Sequence, residues 1–251
     1  MSELTPATVL AVFLIFCRIG SCVMIMPGMS SARVPMQMRL FVAAGLALAL
    51  TPLLLDAVRP AVGTGAPVVL FALIASELFA GSLIGLIGRL FFLALQFGAT
   101  AISNFMGLSA LPGVPIDEPE ANPALVSIIT MAATVLFFIT DLHWEMIGGV
   151  IASYTVWPVA AVFTAQWGLT QVVDQLNEAF LLALRVCAPF LVFTVVINLA
   201  IGLINKLTPQ IPVFFISMPF VIAGGLLIAY FSAEDSLRLF IMGFSRWVTS
   251  Q

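Results

Sequence analysis

The chain has 251 residues, of which 62% are hydrophobic and only 8% are charged, and its mean hydropathy of +1.17 is typical of membrane proteins and excludes an ordinary soluble domain. The formal net charge is −3, and no cluster of Lys and Arg exists that could hold nucleic acid. One span needs about 20 apolar residues. We therefore predict an all-α membrane protein with about six to seven kinked hydrophobic helices.

The first apolar segment, residues 9–26, carries Arg18 near its middle. An arginine at the centre of a span costs about 2.5–3.5 kcal/mol on insertion scales. Arg18 is therefore expected to face protein or water instead of lipid, and to need a partner. A second apolar run follows at residues 40–55.

Residues 68–95 form an apolar segment longer than one span and have an ordered pattern of small and polar residues. Glu77, Gly81, Gly85 and Arg89 recur every four residues, so they share one helix face. A neighbouring helix is expected to approach closely at the two glycines, and the two charges could pair with another segment such as that of Arg18. A helix–helix contact without a transport role is the favoured interpretation.

A polar, bent stretch, residues 107–123, lies between the third and fourth apolar segments. It holds four prolines, two glycines and three of the twelve carboxylates. Because proline fixes φ and glycine permits positive φ, this stretch cannot continue either flanking helix and should form a shaped loop. Composition alone leaves an ordinary solvent-exposed connection equally open.

The second half of the chain begins with the apolar residues 124–140 and the only histidine, His143, which we place at an interface beside Trp144. Residues 147–163 could be a further span, a re-entrant piece or an interfacial helix. The last two apolar segments, residues 179–205 and 213–231, form a predicted helical hairpin with a kink in each arm at Pro189 and Pro219. The remaining residues are amphipathic and suit a surface or docking helix.

Recognisable catalytic chemistry is missing. No phosphate-binding Gly-Lys-Ser/Thr loop occurs, since the sole lysine is Lys206, and neither HExxH nor GxSxG is present. The sequence therefore predicts no enzyme, no cofactor and no metal site. Four charges are predicted to be buried, where they could form an ion pathway or lock helices together as salt bridges: Arg18, Glu77, Arg89 and Arg185.

Three blocks resemble the FliR/SctT family, a membrane component of the bacterial flagellar and virulence type III export gate. The first block runs from Arg18 through AAGLALALTP at residues 43–52, and the second is MGLS at residues 106–109. The third and most specific is NLAIGLINKLTPQIPVFFISMPF at residues 198–220. The resemblance extends from the first apolar segment to about residue 231.

The resemblance implies a non-catalytic channel subunit of the bacterial inner membrane and flagellar basal body, with exported unfolded proteins passing through the assembly. The implied partners are subunits of the FliP and FliQ type, an FlhB-type subunit and membrane lipid. The last hairpin is also similar to FliQ itself, which implies subunit contacts through Asn198, Gly202, Asn205, Lys206, Pro209, Gln210, Phe214 and Pro219. The loop that begins with MGLS matches the family's plug, which implies a pore-blocking role for Met106, Gly107, Leu108, Ser109, Pro112, Gly113, Pro115, Asp117, Glu118 and Pro119.

The expected organisation is one membrane domain: N-terminal helices (1–105), plug loop (106–123), middle helices (124–178), FliQ-like hairpin (179–231) and C-terminal tail (232–251). A flagellar machine is favoured over an injectisome on overall resemblance. A stand-alone secondary transporter and a purely structural scaffold are the competing classes, although no repeat relates the two halves of the chain as in many transporters.

Overall fold

The computed structural model describes residues 6–31, 34–62, 67–108, 124–159 and 165–249. Within these ranges the chain is helical and contains no β-strand, which confirms the predicted all-α fold. The helices are α1 (Pro6–Ile25), α2 (Met36–Val62), α3 (Pro67–Phe105), α4 (Ala124–Ile139), α5 (Leu142–Val156), α6 (Ala165–Leu207) and α7 (Val213–Thr249).

Five of the described helices, namely α1, α2, α3, α6 and α7, are long and apolar enough to cross a membrane. Helices α4 and α5 meet this criterion together but are bent by 66° at the short break between them. Asp141 lies at this break with φ of 58°, a left-handed conformation that aspartate tolerates better than most residues. Residues 147–156 thus belong to the second arm of a bent pair, which is either a broken span or a re-entrant segment.

The long helices contain prolines at positions where hydropathy alone suggests a break. Pro52 and Pro60 lie inside α2, Pro189 lies inside α6, and Pro219 lies inside α7. Each proline removes one backbone donor and disfavours a straight helix. The expected kinks at Pro189 and Pro219 stay predictions, while the helices themselves continue on both sides.

Contacts divide the chain into two compact units. Unit 1 comprises the described residues within 1–91, 137–177 and 244–251, and unit 2 comprises those within 92–136 and 178–243. In unit 1, α1 packs against α2. The end of α7 docks there through an aromatic cluster in which the Phe244 ring lies 5.7 Å from Phe91, 5.4 Å from Phe137 and 5.3 Å from Trp247, centroid to centroid.

Unit 2 is built from the later part of α3 together with α4, α6 and α7. Its buried cluster consists of Ile102, Met106, Val186, Cys187 and Phe190. A half-open, apolar cavity of about 210 Å³ adjoins this cluster and is lined by residues of all four helices.

Candidate functional site: a buried ion pair, the end of α3 and an exposed hairpin

Arg18 of α1 and Glu77 of α3 form a buried ion pair in unit 1. Nε of Arg18 donates to Oε2 of Glu77 at 2.7 Å, and Nη2 donates to Oε1 at 2.7 Å. Both residues are almost completely buried, at 2% and 0% exposure. The two parallel bonds match the forked guanidinium to the carboxylate, which is the strongest geometry for such a pair. Arg18 therefore has the partner that its position inside a span requires.

Two more of the five N–H donors of Arg18 are bound by α5 and the residue that follows it. Nη1 donates to the Ser153 hydroxyl at 3.0 Å, and Nη2 also donates to the Trp157 carbonyl at 3.1 Å. The guanidinium carbon lies 3.9 Å from the centre of the Tyr154 ring, a cation–π distance. Sequence reasoning missed these α5 partners, because nothing in their local pattern shows that α5 returns to the middle of α1.

The stripe of small residues on α3 receives α1, as the four-residue spacing predicts. A Cβ atom at Gly81 would overlap the backbone carbonyl of Arg18, and one at Gly85 would lie 2.8 Å from the Cys22 carbonyl oxygen. Only glycine allows the two backbones to approach this closely. The same contact brings Glu77, one turn before Gly81, to the Arg18 side chain.

Two of the four charged side chains that were predicted to be buried are not buried within the single chain, so the prediction is wrong for them. Arg89 and Arg185 are both exposed. They lie on the faces of α3 and α6 that no other described part of the chain covers, whereas Glu77 lies on the face that α1 covers. The i, i+4 spacing correctly groups Glu77 with Gly81 and Gly85, but each step of four residues rotates the helix face by about 40°, so Arg89 lies about 120° around the helix from Glu77.

Helix α3 ends where the sequence predicts a loop. The Met106 amide still donates to the Ile102 carbonyl at 2.9 Å, and the Gly107 amide donates to the Asn104 carbonyl at 3.0 Å. Gly107 has φ of 73°, which is the left-handed glycine that commonly terminates a helix. Of the predicted plug residues, only Met106, Gly107 and Leu108 are described. The other seven lie outside the described residues: Ser109, Pro112, Gly113, Pro115, Asp117, Glu118 and Pro119.

Met106 is buried at the start of this segment. It has 0% exposure and belongs to the apolar cluster of unit 2. A Cβ atom at Gly225 of α7 would lie 2.6 Å from its Cγ atom, so the Met106 side chain packs directly on the glycine. Nothing in the sequence pattern around Gly225 indicates that it receives Met106.

The predicted contact residues of the α6–α7 hairpin share one property: all eight are exposed in this chain. Most of the apolar side chains around them are exposed as well, for example Leu203 at 57% and Phe220 at 75%. The turn between the two helices is closed by backbone hydrogen bonds such as that from the Ile211 amide to the Thr208 carbonyl at 3.2 Å. The exposed contact residues are Asn198, Gly202, Asn205, Lys206, Pro209, Gln210, Phe214 and Pro219.

The other described polar side chains do not meet the requirements of a metal site. Among the described residues, no three His, Cys, Asp or Glu side chains lie close enough together to hold a metal ion. The ring of His143 lies beside those of Phe138 and Trp144, with centroids 5.3 and 5.7 Å away.

The family model of the bacterial export proteins, family 1, matches residues 9–247 of the chain. The chain belongs to this family. Flagellar biosynthetic protein FliR of Caulobacter vibrioides is 30% identical over 213 residues, which cover 85% of this chain and 84% of that protein. FliR of Aquifex aeolicus is 26% identical over 92% of this chain and 89% of its own length. Yop proteins translocation protein T of Yersinia pestis is 28% identical over 64% of this chain and 63% of its own length.

These relatives confirm the predicted FliR/SctT family and, with it, a subunit of the type III export gate. The matched range contains the ion pair, the end of α3 and the exposed hairpin. Together with the apolar helices, it makes the chain a membrane component of an export apparatus that works with other gate subunits.

Proposed function

We propose that the protein is a non-catalytic subunit of the flagellar export gate in the bacterial inner membrane, where it forms part of the protein-conducting channel. In this proposal, residues 106–123 plug the channel at rest, and exported proteins pass through unfolded. The observation that carries the proposal is the family match over residues 9–247 in a chain whose hairpin contact residues are all exposed. The flagellar assignment is supported by the FliR relative that aligns with 85% of this chain.

The hairpin supports assembly with other gate subunits. Asn198, Gly202 and Asn205 are spaced i, i+4 and i+7, so they form one small and polar stripe along the apolar end of α6. Apart from the backbone of α6 itself, no described part of the chain comes within 4 Å of a Cβ placed at Gly202. Lipid is a poor cover for exposed amides, whereas small and polar stripes are typical of packed membrane helices. We propose FliP-type, FliQ-type and FlhB-type subunits as the partners, with lipid covering the purely apolar faces.

A stand-alone transporter is less well supported. An ion or substrate pathway needs charged groups that a solute can reach. Arg18 and Glu77 instead neutralise each other, and two further Arg18 donors are bound by Ser153 and Trp157. The arrangement suits a lock between helices better than a pathway. Solute uptake by the purified chain in lipid vesicles would reverse this preference.

The plug is tested by replacing residues 109–123 with a short Gly-Ser linker in the complete gate. We expect cells that express this gate to leak ions and small metabolites, because an open protein-conducting pore is also wide enough for them. The measurement is membrane conductance together with growth, and the control is co-purification of the other gate subunits with the variant. Normal conductance in a gate shown to be assembled would contradict the plug and leave the scaffold interpretation.

A further inference from the structure

We propose that Met106 is a positioning residue for the plug, and that its packing on Gly225 fixes the point where the chain leaves α3. The inference rests on the proposed function for the role of residues 109–123. The contact itself lies within unit 2 and involves described residues only. It joins the last turn of α3 to α7, one arm of the exposed hairpin.

The packing at this point leaves Met106 little freedom. Its Cγ, Cβ and Cε atoms would lie 2.6, 3.1 and 3.3 Å from a Cβ at Gly225, so the whole side chain covers the glycine and not just its flexible end. Any larger residue at position 225 must displace Met106. The side chain is also fully buried, which makes it part of the unit and not of the loop.

A second bond holds the backbone beside Met106. The Thr194 hydroxyl of α6 donates to the Phe105 carbonyl at 3.1 Å. This carbonyl lies in the last helical turn, where backbone acceptors have no partner within the helix. Leu108, the last described residue before the loop, also packs against the cluster that contains Met106. Within the described residues, the contacts that hold the end of α3 therefore run from Phe105 to Leu108, and both arms of the hairpin contribute to them through Thr194 and Gly225.

The surroundings allow Met106 to be displaced without unfolding the unit. Ile102, Val186 and Phe190 belong both to the cluster around Met106 and to the lining of the cavity of about 210 Å³. Free volume beside a cluster lets its side chains rearrange at a lower cost than in a fully packed core. A variant with a larger residue at position 225 is thus expected to fold and assemble with the Met106 side chain displaced. We call the packing of Met106 on Gly225 the anchor.

The test is Gly225→Ala in the complete gate, with Ser109→Cys as a reporter of the first residue beyond the described end of α3. We expect a membrane-impermeant maleimide to label Cys at position 109 several-fold faster in the Gly225→Ala gate, and membrane conductance to rise toward that of the 109–123 replacement. The native cysteines are buried and give a low background. Gly243→Ala is the matched control, because Gly243 lies in α7 as Gly225 does. Its added methyl group would make an ordinary contact with Leu182 of α6, at 3.4 Å.

Met106→Ala shows whether the two residues act through each other. We expect Met106→Ala alone to speed labelling, and the double variant with Gly225→Ala to be less than additive, since the alanines relieve the overlap. Unchanged labelling in Gly225→Ala, or additive effects in the double variant, would overturn the anchor. If labelling changes as expected but the 109–123 replacement does not leak, the plug proposal fails and the anchor stands.

Discussion

Arg18 shows how a single residue can fix the arrangement of three helices inside an apolar chain. A buried guanidinium needs a counter-charge and partners for most of its donors. Here the counter-charge comes from α3, and further partners come from α5 and Trp157. Satisfying these bonds together requires α1, α3 and α5 to meet at this level, so the ion pair favours this register of α1 against its neighbours. Desolvation offsets much of its attraction, so we expect specificity of packing to be its larger contribution.

Removing one member of this pair should destabilise the protein strongly. For Glu77→Gln we expect a loss of about 3–5 kcal/mol, because Arg18 stays buried without a compensating charge. The double variant Arg18→Met/Glu77→Leu should lose less than Glu77→Gln alone, since no charge is left in the apolar interior. The measurement is the unfolding midpoint of the protein purified in detergent.

The exposed pair of Arg238 and Glu234 provides the control for this prediction. It joins residues i and i+4 of α7 at 2.7 Å, with both side chains more than 70% exposed. Glu234→Gln should cost no more than about 0.5 kcal/mol, as solvent screens such pairs. Equal effects of Glu77→Gln and Glu234→Gln would contradict the role given to the buried pair.

The need of Arg18 for a partner could be predicted from the sequence, because a charge inside a span is costly wherever the helix lies. Its partner Glu77 was one of the two charges of α3 that were expected to pair with the Arg18 segment. The partners in α5 could not be predicted. Ser153, Tyr154 and Trp157 have no spacing that distinguishes them from other residues of a mixed segment, and they depend on the bend after α4. The exposure of Arg89 could not be predicted from the four-residue spacing. The spacing groups Arg89 with Gly81 and Gly85, although Arg89 lies beyond the turns of α3 that α1 covers.

At the scale of whole helices, the contact between α1 and α3 depends on glycine. The carbonyl of Arg18 occupies the place where a side chain at residue 81 would begin. Close backbone approach of this kind increases van der Waals contact between membrane helices, for which apolar surface alone gives no preference over lipid.

A methyl group at residue 81 should therefore weaken the protein. We expect Gly81→Ala to cost about 1–3 kcal/mol, the usual range for overpacking, because the obstacle is backbone and cannot rotate away. Gly148→Ala in α5 is the matched control, since its added Cβ meets no atom of another described element within 4 Å. Unfolding midpoints of the two variants in detergent give the comparison. A Gly81→Ala protein as stable as Gly148→Ala would show that the helices separate at little cost.

Helix ends were harder to predict than helix contacts. Residues 165–178 were expected among the middle helices, and residues 232–251 as a separate tail. Helix α6 in fact begins at Ala165, and α7 continues to Thr249. Hydropathy marks where a helix suits lipid, but hydrogen bonding along the backbone continues through polar residues that favour helix. The end of α3 was predicted closely, because Gly107 supplies a left-handed conformation that stops a helix.

The whole molecule is unevenly covered by its own side chains. In α1, most of the apolar window is buried, at 56%, whereas the window in α7 is only 6% buried. The window in α6 is 28% buried, and the eight hairpin residues implied by the resemblance to FliQ are all exposed, in α6, in the turn or in α7. A chain that buries its first helix and exposes its last ones is consistent with a subunit whose hairpin belongs to the wall of a larger assembly.

The stripe of Asn198, Gly202 and Asn205 on α6 allows a test of whether another protein subunit, and not lipid, covers the hairpin. We expect Gly202→Leu to reduce co-purification of the other gate subunits at least several-fold, because a bulky side chain prevents close approach of a partner helix. The fold of the chain itself should be unchanged, since position 202 has open space around it. Ala200→Leu is the matched control: it is exposed on the same helix, about 160° around from Gly202. If the two variants co-purify equally well with the gate subunits, lipid covers this stripe and the proposed contact is wrong.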